Sequence, residues 1–310
     1  MDGLKAVAHL MSTTPTPIIM ISSLTQKGAE ATIQALNLGA IDFIPKLSGY
    51  VSLDIDQSAA EIIAKIKLAS KIHVVRTVNH LDTLPDLATI VQKPPLTSPP
   101  ARPIPQQADK RPIVIIGCST GGPPALNDIL PSFPSDFPAP ILVVQHMPEK
   151  FTQKLAENLN THTALQVLEA RDGMRVQRGG VYIAPGAYHM KITPKRTIAL
   201  MPGDPEASIP RPSVDILMHS VANVYGKHAI GVILTGMGND GAAGMKAIKD
   251  HHGATIAQDE DTSLVFGMPK AAIEAGCVDS IVPLALVAEE IMSLVQTQTT
   301  AQKGGRLRKK

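Results

Sequence analysis

Short apolar runs alternate with segments of helical periodicity along most of the chain. Four runs are apolar at almost every position; they lie at 113–117, 141–145, 229–234 and 254–257. Such runs are typical of parallel strands buried on both faces, and helical stretches such as 123–130 and 214–224 lie between them. The pattern predicts an α/β fold with a doubly wound, mainly parallel sheet.

Residues 175–200 depart from this pattern. The apolar runs VYIAP, AYHMKI and TIAL are short there, and glycines and turn residues separate them. Short runs bounded by turn signals predict a small antiparallel hairpin or meander inserted on one side of the sheet.

The first 72 residues form a separate pattern. Apolar runs at 16–22 and 41–44 predict strands, and residues 28–38 and 59–72 have helical periodicity. This β–α–β–α order contains only two strands, which are few for an independently stable sheet.

A proline-rich segment divides the chain into domains. Eight prolines fall between 84 and 112, a density that excludes both helix and sheet. We therefore predict a first domain at 1–72, a semi-extended linker at 73–111 and a larger domain at 112–297. Residues 298–310 are polar and end in a basic run, which predicts a disordered tail.

Composition narrows the class of protein. Apolar residues make up 44 % of the chain, yet there is no Trp and there are only five Phe and four Tyr, so the core is aliphatic. The net charge of +2 gives no reason to expect a nucleic-acid partner. Two cysteines without metal-type spacing, no signal-peptide pattern and no membrane-length apolar run predict a cytoplasmic protein without membrane insertion.

The first chemical signal is Gly117-Cys118-Ser119-Thr120-Gly121-Gly122, between a predicted strand and a predicted helix. Gly-x-Ser-x-Gly at such a turn is the pattern of a nucleophilic serine, here Ser119, with a helix N-terminus behind it whose N–H groups favour an oxyanion. Similar turns also hold phosphates or merely reverse the chain. There is no Gly-Lys-Ser/Thr, and the next strand ends in Gln145 and His146 where a dinucleotide fold has an acidic residue.

His146 follows the strand at 141–145 and Asp240 follows the strand at 229–234, so both lie at the carboxyl edge with Ser119. This placement predicts a triad in which His146 is the general base and Asp240 orients its ring. The alternative for Asp240 is a cap of the next helix. The glycine-rich loop before Asp240 leaves the Met237 N–H as a second oxyanion donor.

Two other residues are rival candidates. Cys118 is an alternative nucleophile, but it ends an apolar strand with no cation beside it to lower its pKa, so we expect it to be a packed side chain. His189 lies in the predicted insertion, and its sequence position does not exclude it from the rim of the site.

Five motifs, in this order, carry a family resemblance: GCSTGGPPAL, VVQHMPEKFT, VYIAPGAYHM, RPSVDILMHSVA and GVILTGMGNDGAAGM. They closely resemble the chemotaxis protein-glutamate methylesterases, the CheB family of response-regulator esterases. The resemblance covers residues 1–70 and 112–295.

The resemblance implies a parallel α/β esterase that demethylates glutamyl methyl esters on methyl-accepting chemotaxis receptors and releases methanol. Its serine, histidine and aspartate fall on Ser119, His146 and Asp240. For the oxyanion formed by this triad, we expect the backbone N–H groups of Thr120 and Met237 to be the donors. It implies no metal or other cofactor. Pro210 occupies a position where well-studied relatives have a histidine near the site.

The first domain resembles the second half of a flavodoxin-like phospho-receiver domain. Ser22 matches the switch hydroxyl and Lys46 matches the phosphate-sensing lysine. The family's phosphoacceptor aspartate lies before the part that this sequence matches. The partner expected for the family is a chemotaxis histidine kinase. The part of the family that this sequence matches does not include the aspartate that accepts its phosphoryl group.

Two alternatives to the esterase remain. Many relatives also deamidate receptor glutamines, so glutaminase activity is expected beside, or in place of, ester cleavage. A non-enzymatic α/β module that binds a nucleotide or a partner is the other alternative, although the Gly-rich turn has no basic residue.

Overall fold

The computed structural model describes residues 3–46, 53–72, 111–203 and 209–307. The chain forms two compact units, Met1–Leu96 and Thr97–Lys310. The division falls within the proline-rich segment, of which residues 73–110 lie outside the described residues.

The described residues of the first unit form three helices and a two-stranded parallel sheet. Its elements are α1 (Gly3–Thr13), β1 (Ile19–Ser22), α2 (Gln26–Asn37), β2 (Asp42–Pro45) and α3 (Leu53–Ala69). Both strands and the two later helices match the predicted pattern to within a few residues, whereas α1 was not predicted. Helix α2 begins where the Thr25 side chain accepts the Gly28 N–H, an N-cap of the expected kind.

Ser22 and Lys46 lie side by side in the first unit. Ser22 ends β1 opposite Pro45, and the Lys46 N–H donates to the Ser22 carbonyl at 2.6 Å. The Ser22 hydroxyl donates to the Gly28 carbonyl of α2. The receiver-like role of both residues stays a prediction.

The second unit is built on one parallel sheet of seven strands. In spatial order these are β11 (Ser280–Val282), β10 (Ala254–Gln258), β9 (Ala229–Ile233), β3 (Ile113–Cys118), β4 (Ile141–Gln145), β6 (Gly180–Ile183) and β5 (Gln166–Glu169). Every neighbouring pair is parallel. The chain builds outward from β3 through β4 and then returns to place β9 on the other side of β3. The predicted doubly wound α/β class is confirmed.

Helices connect these strands and cover the sheet. They are α4 (Gly122–Ile129), α5 (Phe151–His162), α6 (Val214–Tyr225), α7 (Ala242–Asp250), α8 (Met268–Glu274) and α9 (Leu284–Leu307). Strands β3, β4 and β9 are buried at every position, as expected for a parallel sheet with both faces covered. Among the described residues, no helix combines the length and apolar character needed to span a bilayer.

The insertion at 175–200 is smaller than predicted. Only β7 (Tyr188–Ile192) and β8 (Ile198–Pro202) form an antiparallel hairpin. The run VYI belongs instead to β6, which pairs with β4 and β5 in the main sheet and is buried at all four positions. Assigning it to the insertion was wrong, because its continuous apolar character is that of a buried parallel strand.

The end of the chain also differs from expectation. Helix α9 continues to Leu307, through ten residues that the sequence places in a disordered tail. The segment 298–303 has the sequence QTTAQK, with no proline that would stop the helix.

The central strands are expected to dominate the stability of the second unit. Leu142 in β4 is fully buried, so Leu142→Ala should lower the free energy of unfolding by about 2–5 kcal/mol through lost transfer energy and a cavity. The matched control is Ile281→Ala in edge strand β11, where the side chain is 52 % exposed and the expected cost is about 1 kcal/mol or less. Urea unfolding followed by circular dichroism measures both, and equal losses would contradict this account.

Candidate active site

Three loops at the carboxyl edge of the sheet bring the candidate residues together. Ser119 follows β3, His146 follows β4 and the loop 234–241 follows β9. Because β3 lies between the other two strands, its turn has a neighbour on each side: the Ser119 N–H donates to Thr235 O, and the His146 N–H donates to Cys118 O, both at 3.1 Å. The site thus lies beside the β3–β9 switch point, where open α/β sheets bind ligands.

The Ser119 turn requires glycine for two reasons. Gly121 has a φ of +82°, a conformation that side chains rarely adopt. On the other side of the turn, a Cβ on Gly236 would lie 2.8 Å from Ser119 Cβ, so the β9 loop can pass this close only without a side chain. The serine is half-buried at the sheet edge.

The N-terminus of α4 has fewer free donors than the sequence suggested. Its first N–H, on Gly122, donates to the Ser119 carbonyl, and the Ala125 N–H donates to the Gly121 carbonyl. Pro123 and Pro124 between them have no N–H at all. The expectation that this helix offers free N–H groups to an oxyanion was therefore wrong, and only its dipole remains available.

His146 and Asp240 form a direct pair, with 2.8 Å between His146 Nε2 and Asp240 Oδ2. An ionised carboxylate can only accept, so the Nε2 carries the proton and Nδ1 is the nitrogen left to act as a base. Within the described part of the chain, Ser119 Oγ and the His146 ring share no hydrogen bond. Catalytic hydrogen bonds are often looser without substrate and tighten when it binds.

Asp240 is 8 % exposed and its carboxylate is fully used. Oδ1 accepts the Ser213 hydroxyl at 2.9 Å and the Asp215 N–H at 3.0 Å, while Oδ2 accepts the Val214 N–H at 2.7 Å in addition to His146. Val214 and Asp215 are the first residues of α6. Asp240 is thus a helix cap as well as the partner of His146, but of α6 rather than of the next helix in sequence.

The pKa of Asp240 is held below its ordinary value. Burial by itself raises it, but the hydrogen bond from His146, the charge of that ring and the N–H groups of Asp215 and Val214 outweigh burial. The carboxylate is therefore ionised at neutral pH, as a residue that orients an imidazole must be.

The cap of α7 is Asp215, which the sequence did not single out. Its Oδ1 accepts the Gly241 N–H at 2.9 Å and the Gly244 N–H at 2.6 Å. Burial raises the pKa of Asp215, and the nearby Asp240 carboxylate adds to this against the N–H bonds. Asp240 and Asp215 thus cap each other's helices, a pairing between residues 25 apart that no local signal reveals.

Thr120 follows Ser119 in the chain, and Met237 follows Gly236, where a Cβ would lie 2.8 Å from Ser119 Cβ. The Met237 N–H donates no hydrogen bond to any described residue, and Met237 itself is half-buried. Thr120 is buried, and its carbonyl accepts the Thr235 hydroxyl at 3.0 Å, which fixes the two loops to each other. This arrangement leaves at least one N–H available near the serine.

The two rival residues and Pro210 are also placed. Cys118 is fully buried, and burial raises the pKa of its thiol, so it cannot supply a thiolate at neutral pH. His189 is buried in β7, where burial and then Arg211 lower its pKa while Asp240 raises it. It is thus within electrostatic reach of Asp240 without contacting Ser119. Pro210 is exposed.

Comparison with known proteins gives a consistent result. The CheB methylesterase family model matches residues 114–291. A protein-glutamate methylesterase/protein-glutamine glutaminase of Archaeoglobus fulgidus is 44 % identical over 301 residues, which are 96 % of this chain and 82 % of that protein. One from Pyrococcus horikoshii is 45 % identical over 298 residues, covering 96 % and 78 %. The crystal structure of the Thermotoga maritima CheB methylesterase catalytic domain is similar over 59 % of this chain and 98 % of that one, with 44 % identity and a TM-score of 0.58.

The exchange of caps gives a test that separates charge from hydrogen bonding at Asp215. Asp215→Asn keeps an oxygen for both N–H groups and removes a buried charge near Asp240, so it should unfold at the same or a higher urea concentration at pH 7. Asp215→Ala leaves two buried donors unsatisfied and should cost about 1–3 kcal/mol. If both variants were equally destabilised, the charge and not the acceptor would be what α7 needs.

The lowered pKa of Asp240 predicts an acid-dependent contribution to stability. A carboxylate whose folded pKa is below its unfolded value of about 3.9 stabilises the fold above that value and loses this effect as the pH falls through the folded pKa. Asp240→Asn removes the titration. The stability advantage of the wild type over Asp240→Asn should therefore shrink as the pH falls from about 5 toward 3. An advantage that grows toward acid in urea unfolding would reverse the assigned sign.

Proposed function

Because this chain belongs to the CheB methylesterase family, we propose that it hydrolyses glutamyl methyl esters of chemotaxis receptors with Ser119 as the nucleophile, His146 as the base and Asp240 as its partner. The observation that carries the proposal is the partly buried His146–Asp240 pair, in the loops after the two strands that flank β3. The names of the A. fulgidus and P. horikoshii relatives support the reaction class.

The first step forms an acyl-enzyme. His146 takes the hydroxyl proton of Ser119 while Oγ bonds to the ester carbonyl carbon, and Asp240 stabilises the imidazolium that results. His146 then returns the proton to the methoxy group as the C–O bond breaks, and methanol leaves.

Backbone donors stabilise the negative oxygen formed in this step. The Met237 N–H has no other partner among the described residues, and we assign it to the oxyanion together with the Thr120 N–H. The first turn of α4 does not supply these donors, because the Gly122 and Ala125 N–H groups already donate and Pro123 and Pro124 have none.

Water completes the cycle by the same relay. His146 removes a proton from water as its oxygen attacks the glutamyl-Ser119 ester, and Ser119 regains its proton when the acyl group leaves. The product is a free glutamate side chain. No step requires a group other than those named.

Glutamine deamidation uses the same site with ammonia in place of methanol as the leaving group. The names of the A. fulgidus and P. horikoshii relatives include protein-glutamine glutaminase, so we propose this as a second activity. Methanol and ammonia released from the same receptor preparation measure the balance between the two.

A nucleotide-binding role is less well supported. The turn at 117–122 has no basic side chain, and the N–H groups of α4 that would hold a phosphate are occupied or absent. The histidine kinase expected for the family stays a prediction, as does the cytoplasmic location.

Replacement of the nucleophile is the direct test. Ser119→Ala should reduce methanol release from membranes with methylated receptors to background, while the circular dichroism spectrum and the unfolding midpoint stay the same, since one hydroxyl is removed from a half-buried turn. Iodoacetamide should leave the wild type active, because the thiols of Cys118 and Cys277 are buried. Methanol release by Ser119→Ala near the wild-type rate would reject the proposed mechanism.

A further inference from the structure

We propose that Gln145 is a positioning residue that holds the Ser119 turn and the His146 turn at a fixed separation. The inference rests on the proposed function and concerns the same reaction. Gln145 is the last residue of β4 and is buried, with 2 % of its surface exposed.

One side-chain amide joins the two turns. Gln145 Nε2 donates to the Ser119 carbonyl at 2.8 Å and to the His146 carbonyl at 3.2 Å, so both of its hydrogens are used. The Oε1 accepts the Cys118 thiol at 3.1 Å, which fixes which end of the amide is the donor. The amide thus hydrogen-bonds to Ser119 and His146, two of the proposed catalytic residues, and to Cys118, which precedes Ser119.

The link lies where the sheet can no longer set the spacing. The β3–β4 ladder ends with Cys118 opposite Gln145 and the His146 N–H on the Cys118 carbonyl. Beyond that bond, Ser119 turns into α4 and His146 leads away toward α5. Gln145 donates a hydrogen bond to the His146 carbonyl, so this amide continues the connection past the ladder.

The Gly-Gly pair of the motif provides the space that the amide occupies. A Cβ on Gly122 would overlap Gln145 Oε1 and would lie 3.0 Å from the Cys118 Sγ. A side chain at position 122 is therefore incompatible with this position of the amide. Gly122 thus leaves room for the Gln145 amide, whereas Gly121 adopts the positive φ of the turn.

If Gln145 were only a buried polar group with satisfied hydrogen bonds, its replacement would lower the free energy of unfolding and leave the reactivity of Ser119 unchanged. A positioning role adds a loss of reactivity, because a displacement of about 1 Å between nucleophile and base can reduce the rate about 100-fold. The effect should be on kcat rather than KM, since Gln145 touches no substrate.

Gln145→Met tests the link, because methionine has a similar length and no donor. We expect kcat for methanol release to fall about 30- to 100-fold, with KM changed less than about threefold. The rate of inactivation by phenylmethylsulfonyl fluoride, which reports the reactivity of Ser119 without a receptor, should fall by a similar factor. The control is Thr255→Val, which removes the buried hydrogen bonds of the Thr255 hydroxyl with Cys277 O and Asp279 at the amino end of β10 and should lower the unfolding midpoint but neither rate.

Gln145→Glu is the second variant and is decisive if Gln145→Met does not fold. A protonated Glu donates one hydrogen where Gln donates two, and a carboxylate donates none. Its kcat should be below the wild type at every pH and the deficit should widen as the pH rises. Either variant with wild-type kcat and wild-type inactivation rate, whatever its stability, would overturn the proposal.

The two proposals fail differently. If the wild type releases no methanol but sulfonyl fluoride still labels Ser119, the esterase function fails and the labelling rates of the variants still test Gln145. If Ser119→Ala abolishes methanol release while Gln145→Met and Gln145→Glu keep full rates, the esterase stands and only the positioning role is lost.

Discussion

The Asp240 carboxylate joins the chemistry of the site to the helices behind it. A buried charge is stable only where donors surround it, and here the donors are the His146 ring, the Ser213 hydroxyl and the first N–H groups of α6. The same bonds keep the carboxylate ionised and fix the direction of the imidazole. Any movement of α6 relative to the β9 loop would therefore disturb both the fold and the pairing with His146. The rest of the site depends on the position of the Asp240 carboxylate.

Asp215 extends this condition to α7. Asp240 accepts N–H groups at the start of α6, and Asp215 accepts N–H groups at the start of α7. These bonds hold α6, α7 and the loop 234–241 together. Burial and the nearby Asp240 charge both disfavour the ionised form of Asp215, and they raise its pKa. As a result, the loop 234–241, which contains the Met237 N–H, is fixed at its Asp240 end by contacts with both helices.

The order of strands explains why so much of the site was accessible from the sequence. Parallel strands deliver their following residues to one edge, so Ser119 and His146 could be assigned to that edge from the runs before them. The same reasoning missed β5 and β11, which are short and partly polar, and assigned β6 to the insertion, because pattern alone does not tell which neighbour a strand pairs with.

The sequence by itself determined the α/β class, the turn at Ser119, the edge that carries the candidate triad and the family resemblance, because these depend on local periodicity, glycine positions and motifs. Only the tertiary structure decided which helix Asp240 caps, that Asp215 caps the other and that Gln145 links two turns. The bonds from Val214 to Asp240, from Gly241 to Asp215 and from Gln145 to Ser119 each join residues 26 positions apart, and their geometry exists only once β3, β4 and β9 are packed side by side.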